Sequence, residues 1–166
     1  PVADPAWVES LVTLAMKDIN KKKIIIGVPT YGYEYEVTPI PGDGYKYKVL
    51  WPFNYKYATD IAAQLGITPT RTSANESGFS YDPRRLATVA PKNGEVMQTQ
   101  QKVSTTTIIA ENAGSGDNSQ PFNYFSWSDA TAVADKVALA RKLGVRGVAV
   151  FKFDGGEDQK IWDVLK

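Results

Sequence analysis

One run constrains this chain more than any other: Val145-Arg146-Gly147-Val148-Ala149-Val150-Phe151. It is too apolar and too short for anything but a strand buried on both faces, and such a strand requires helices on each side. The preceding residues supply one. Val133, Val137 and Ala140 recur every three or four positions, while Asp135, Lys136, Arg141 and Lys142 take the other face. Ser126 and Asp129 fit a capping box at the start of this helix, and Gly144 suits its C-terminal stop. A short aromatic strand ending at Trp127 comes before it. Beyond the apolar run lies an acidic, glycine-rich loop, Asp154-Gly155-Gly156-Glu157-Asp158. In parallel α/β sheets, ligand chemistry sits at that end of a strand.

The N-terminus repeats the grammar. Asp4 can cap a helix with Pro5 in its first turn, and Trp7, Val8, Leu11, Val12, Leu14, Ala15 and Ile19 offer a wide apolar stripe. Lys21, Lys22 and Lys23 suit the negative end of that helix's dipole. A second buried parallel strand follows, Ile24-Ile25-Ile26-Gly27-Val28-Pro29, and it runs into the aromatic cluster Thr30-Tyr31-Gly32-Tyr33-Glu34-Tyr35. Trp7 and Trp162 fall on apolar helix faces and are expected in the core.

With 166 residues the chain can hold one cooperative core and a subdomain inserted into it. A net charge of +1 with scattered lysines predicts no nucleic-acid partner. No stretch approaches the ~20 apolar residues of a membrane-spanning helix, and no signal peptide is apparent. The chain has no Cys and no His, so a thiolate nucleophile, a His-based triad and the common zinc sites are excluded within it. No metal or cofactor is expected. Any chemistry must use carboxylates, tyrosines, lysines or hydroxyls.

Residues 36–121 read differently. A turn-rich stretch, Pro39 to Gly44, leads into the alternating Tyr45-Lys46-Tyr47-Lys48-Val49, a half-exposed strand. Tyr57 to Leu65 suits a short helix that Gly66 terminates. Gly78-Phe79-Ser80-Tyr81, Glu95 to Gln101 and Ser104 to Ile109 look strand-like, and Ala113 to Ser119 an exposed loop. Together these predict a small antiparallel α+β insertion.

Four segments in this order resemble the family-18 glycoside hydrolases, particularly the bacterial chitinase-like and spore-cortex-lytic types: KIIIGVPTYGY (23–33), ANESGFSY (74–81), YFSWSDA (124–130) and GVAVFKFDGGEDQKIW (147–162). The resemblance implies an α/β fold, the C-terminal half of a (β/α)8 TIM barrel. Ile24–Val28 would be strand six, 122–127 strand seven and 145–151 strand eight. Residues 1–35 and 122–166 would belong to the barrel and 36–121 to an α+β insertion subdomain between strands six and seven. It also implies a secreted or cell-envelope location and a β-1,4-linked N-acetylhexosamine glycan as substrate, chitin or peptidoglycan-like.

The family's aspartate-rich motif DxxDxDxE, whose glutamate protonates the glycosidic oxygen, does not occur in this sequence. By the resemblance it would lie before residue 1, on a missing N-terminal half of the barrel that becomes this segment's expected partner. The substrate's own acetamido oxygen serves as nucleophile in such enzymes, so nothing here replaces the acid. No catalytic residue is therefore assigned. The candidate substrate-binding residues are Tyr31 and Tyr33 after strand six, Trp127 after strand seven and Phe151 at the end of strand eight, where most members carry a tryptophan. Rigid rings cover the weakly polar CH faces of sugars at little entropic cost. Packing is the competing role for each. Asp154, Glu157 and Asp158 are read as a solvated loop capping the last helix, and Glu76 as a turn residue. The alternative function is that of a non-catalytic, chitinase-like carbohydrate-binding protein, and a purely structural half-domain is a third reading.

Overall fold

The structure, a computed structural model, describes residues 1–42, 44–88 and 120–166. The expected strands at 95–101 and 104–109 and the loop at 113–119 lie outside the described residues. Helix α1, Pro5–Ala15, begins where Asp4 Oδ1 accepts the Ala6 and Trp7 amides at 2.8 and 3.1 Å. It stops at Ala15, so Ile19 is not part of it. The three lysines instead form a separate 3-10 turn, Lys21–Lys23, whose start is capped by Asn20. Helix α4, Ala130–Leu143, is capped by Asp129 through the Ala132 amide at 3.1 Å and stopped by Gly144 at φ 65°. The expected capping box is absent because Ser126 belongs to the preceding strand.

Strands β1, Ile25–Pro29, and β7, Gly147–Phe151, pair directly and in parallel, from Ile25↔Gly147 to Pro29↔Phe151. Val8 and Val12 of α1, Ile26 and Val28 of β1, Val133 and Val137 of α4 and Ile161 of the short helix α5, Ile161–Val164, form their core. Helices cover one side of this sheet only. Ile25 is 50% and Phe151 64% exposed on the other side, so the expectation of strands buried on both faces fails among the described residues. Trp7 and Trp162, expected in the core, are 60% and 44% exposed; α1 buries only Val8 and Val12.

The second sheet is antiparallel, ordered β3-β2-β6-β5-β4. Its strands are β2 (Tyr31–Ile40), β3 (Gly44–Asn54), β4 (Thr70–Arg71), β5 (Ser77–Tyr81) and β6 (Phe122–Trp127). Helix α2, Tyr55–Leu65, ends at the left-handed Gly66 as expected and covers one face, packing Ile61 and Leu65 against Phe53, Phe79 and Phe125. Helix α3, Pro83–Thr88, follows β5. This arrangement corrects the assignment of 122–127 as barrel strand seven: β6 pairs with β2 and β5, not with β1 or β7. Its side chains explain why. Asn123, Phe125 and Trp127 are buried towards α2, whereas Phe122, Tyr124 and Ser126 alternate onto the other face, the signature of a sheet with two unlike faces. All of β2 and β6 lie in the antiparallel sheet, β2 running across the expected boundary at 35/36 and β6 starting at the one expected at 121/122.

A buried polar hub ties the two parts together. Glu76 accepts the Val2 and Ala3 amides at 2.8 and 3.0 Å and the Ser126 hydroxyl at 3.1 Å. Lys136 Nζ lies 3.8 Å from Glu76, both side chains 0% exposed, and burial pushes the lysine pKa down. Lys136 thus sits in the interior rather than on the solvated face its helical position suggested, and Glu76 is more than a turn residue.

A second buried carboxyl, Glu34, accepts the Tyr81 hydroxyl at 2.5 Å and the Asn123 amide at 2.6 Å on Oε1, while its Oε2 has no partner among the described residues. Burial, the largest influence, raises its pKa against the opposing pull of those two donors. A carboxyl whose pKa is raised by folding contributes its full stability below the unfolded value, and that contribution is lost as pH rises through the folded value. We expect Glu34→Gln to remove this loss, so that variant and wild type diverge in urea midpoint on going from acidic to neutral pH. Parallel pH profiles would refute the assignment.

Candidate functional site

The parallel strands deliver their C-terminal ends to one place. The Thr30 amide donates to the Phe151 carbonyl at 2.9 Å and its hydroxyl donates to the Lys152 carbonyl, stapling the two strand ends beyond the last ladder pair. The chain then enters β2, where alternation sets Tyr31, Tyr33 and Tyr35 on one face. Phe151 meets Tyr31 edge-to-face at 6.2 Å, and Tyr31 meets Tyr33 at 5.6 Å in the same geometry, the arrangement aromatic quadrupoles favour. Burial and the adjacent Tyr33 raise the pKa of Tyr31, keeping its hydroxyl a donor.

Three of the predicted site residues are therefore brought together: Tyr31, Tyr33 and Phe151. Trp127 is not among them. It is 1% exposed on the α2 side of the antiparallel sheet, 6.3 Å from Phe53 and 5.8 Å from Phe79. Between the row and this core stands Gly32, where an added Cβ would lie 2.4 Å from both the Ser126 carbonyl oxygen and the Trp127 Cβ. Only glycine lets β2 lie this close to β6 while its tyrosines face outward.

The acidic loop is occupied by its own backbone. Glu157 Oε2 accepts the Asp154 and Gly155 amides at 3.2 and 2.9 Å, and Asp154 Oδ1 accepts the Gly156 amide at 3.0 Å. That last bond, then burial in the opposite sense and Lys152 at 3.3 Å, leave the Asp154 pKa below its ordinary value. Asp158 accepts the Ala130 amide at 3.0 Å and the Lys160 amide at 3.1 Å, so it joins the start of α4 to the turn before α5. Glu157 and Asp158 are 7% and 8% exposed, contrary to the solvated loop expected of them. The Gly156 carbonyl accepts the Lys56 amide at 2.8 Å, pinning the loop to the first turn of α2. No cluster of acids among the described residues has the geometry to hold a metal ion.

Thr30, Tyr35 and Tyr124 were not singled out from sequence. Tyr35 lies 6.2 Å from Tyr33 and 6.4 Å from Tyr124. The alternating Tyr31-x-Tyr33-x-Tyr35 spacing was the available signal.

No protein-family model matches the sequence, and no curated protein matches it. Solved structures do match. The C-terminal domain of a putative chitinase from Desulfitobacterium hafniense aligns over 99% of this chain and 40% of its own length, with a TM-score of 0.63 and 18% identity. The chain shares its fold with chitinases. A chitinase from Chromobacterium violaceum matches at TM-score 0.58 and 19% identity, over 99% of this chain and 38% of its own. The Bacillus cereus spore cortex-lytic enzyme SleL matches at 0.58 and 16%, over 95% of this chain and 28% of its own. The chain thus corresponds to a minor part of each of these chitinase-type and SleL-type structures.

Proposed function

We propose that this chain is part of a glycoside hydrolase acting on β-1,4-linked N-acetylhexosamine glycans, chitin or peptidoglycan-like, and supplies the sugar-binding wall rather than the general acid. The observation that carries the reading is the aromatic row Phe151-Tyr31-Tyr33 at the C-terminal ends of two parallel strands, in a fold shared with chitinases and a spore cortex-lytic enzyme. Phe151 would floor one sugar, and the tyrosines would cover the next while their hydroxyls read its rim. Residues outside this chain would supply the acid and complete the barrel around β1 and β7. The substrate's acetamido oxygen would attack the anomeric carbon, giving an oxazolinium ion and overall retention of configuration. Such a protein acts outside the cell or at its envelope; no helix among the described residues is long and apolar enough to cross a membrane.

The engaged acids of the 154–158 loop support the division of labour, because they hold backbone amides. They also keep the second reading, a carbohydrate-binding protein without catalysis, in play. Reducing-sugar release from chito-oligomers and peptidoglycan strands tests both. The chain alone should release nothing above background, since a positioned acid contributes roughly 10²–10⁴-fold. A longer protein containing it and the acid motif should hydrolyse with retention, followed by NMR of the anomer. Turnover by the chain alone would overturn the proposal. Binding without turnover in a longer protein lacking the glutamate would establish the second reading.

A further inference from the structure

The end of the parallel pair away from the aromatic row is strongly basic. Segments 16–24 and 141–147 carry seven Lys and Arg residues against one acid, Asp18, although the net charge of the whole chain is +1. The remainder is therefore net acidic, and the cations are segregated. The fold brings the two segments together: the Arg146 amide donates to the Ile24 carbonyl at 2.9 Å, and a Cβ added at Gly144 would lie 3.2 Å from Lys21 Nζ. Lys142 pairs with Glu9 at 2.6 Å. Lys17, Lys21, Lys22, Lys23, Arg141 and Arg146 are exposed and pair with no acid among the described residues. The negative end of α4 accounts for Arg141 in its last turn, but α1 stops at Ala15, well before the lysine turn. Like charges held side by side repel and cost stability, and no ion pair among the described residues offsets that cost.

We propose that this basic end docks a flexible polyanion of repeated phosphodiesters, without bases or acyl chains, while the aromatic row stays free for its own ligand. The inference does not depend on the glycan reading above. Asn20 Oδ1 accepts the Lys22 amide at 2.9 Å and the Ile24 amide donates to the Lys21 carbonyl at 3.1 Å, so the lysine turn is fixed. With three residues per turn its successive side chains splay apart, which suits charges spaced along a chain better than one small anion. Lysine outnumbers arginine four to two among the unpaired cations. An ammonium serves phosphate as a point charge, whereas Arg predominates where planar, bidentate pairing matters. Neither segment holds an aromatic ring on which bases could stack. Ile19, 47% exposed, is their one exposed large apolar side chain, too little to enter a bilayer. The strands between are five residues each, so the basic end and the row stand roughly 16 Å apart and can be occupied together.

Calorimetric titration of the chain with a synthetic glycerol-phosphate oligomer tests it, with circular dichroism confirming that each variant folds. Wild type should bind, and its affinity should fall roughly tenfold or more between about 50 and 200 mM salt as counterion release predicts. Lys22→Glu with Lys23→Glu and Arg146→Glu should weaken binding by at least about tenfold. The same change of net charge placed at the exposed Lys46, Lys48 and Lys160 should cost far less. Saturating N-acetylglucosamine hexamer should not compete. Absence of binding overturns the proposal, and so does an equal loss in the two triple variants, which would make net charge alone responsible. Tighter binding to polyglutamate, to a thymidine oligonucleotide or to phosphatidylglycerol vesicles overturns the phosphodiester polymer in favour of a carboxylate polymer, nucleic acid or a membrane. Competition by the hexamer overturns the separation of the two surfaces.

Discussion

Glu76→Ala is expected to destabilise the chain by about 3–5 kcal/mol, because it removes one partner of a buried ion pair and leaves the other charged and dry. Among the described residues Lys136 would keep a 3.4 Å bond to the Ala132 carbonyl, and the Val2 and Ala3 amides and the Ser126 hydroxyl would lose their acceptor. Each unsatisfied buried donor adds a cost of roughly 1–3 kcal/mol unless water reaches it. The reciprocal Lys136→Met leaves a carboxylate that still has three donors, so its loss should be smaller. The double variant should recover part of the Glu76→Ala loss, since no unpaired charge remains. Urea midpoints for the two singles and the double close the cycle. A loss under about 1 kcal/mol for Glu76→Ala would mean that the hub is solvated and ties nothing together.

Association with itself is the second large effect expected. Trp7, Leu11 and Leu14 recur at helical spacing on α1 and are 60%, 45% and 58% exposed, while Ile25, Phe153 and Trp162 are 50%, 47% and 44% exposed. Phe153 and Trp162 stack at 4.7 Å and so present one joined apolar surface. In addition, among the described residues β1 and β7 pair only with each other, leaving an open edge on each. Exposed apolar side chains in such number mark an interface. In the proposed function it is the surface that the rest of a barrel covers. Alone, the chain should therefore associate, its sedimentation coefficient rising with concentration and its melting midpoint moving by roughly 5 °C over a hundredfold range. Trp7→Lys with Leu11→Lys should abolish most of that shift. A monodisperse wild-type monomer melting at a concentration-independent temperature would refute the expectation.

What could be read from the sequence was mostly what local chemistry determines. Asp4, Gly66 and Gly144 mark helix ends because caps act within a few residues, and the runs at 25–29 and 147–151 formed the parallel pair. The errors lie where a partner distant in sequence decides. Lys136 looks solvated on a helical wheel, and it is Glu76, distant in sequence, that pairs with it in the interior. Residues 122–127 match the barrel pattern in composition, but their inward and outward faces differ, and it is pairing with β2 and β5 that uses the difference. Trp7 and Leu11 appeared to be core because an apolar stripe does not reveal which part of it will be covered. For the candidate site, ring type singled out Tyr31, Tyr33, Phe151 and Trp127 alike, whereas strand alternation puts Trp127 on the face opposite the other three.

The single residue Thr30 lies between the end of β1 and the start of β2, so one sheet passes into the other without a linker. The Thr30–Phe151 and Ser128–Tyr31 backbone bonds carry the parallel and antiparallel ladders right up to this seam, and the bond from Lys56 to Gly156 crosses it. A one-residue joint with a ladder ending on each side and a bond across it is a corner rather than a hinge. Any opening of the aromatic row must then come from whatever faces this corner, and the antiparallel unit can be transplanted into another scaffold only if the 151–156 segment is carried with it.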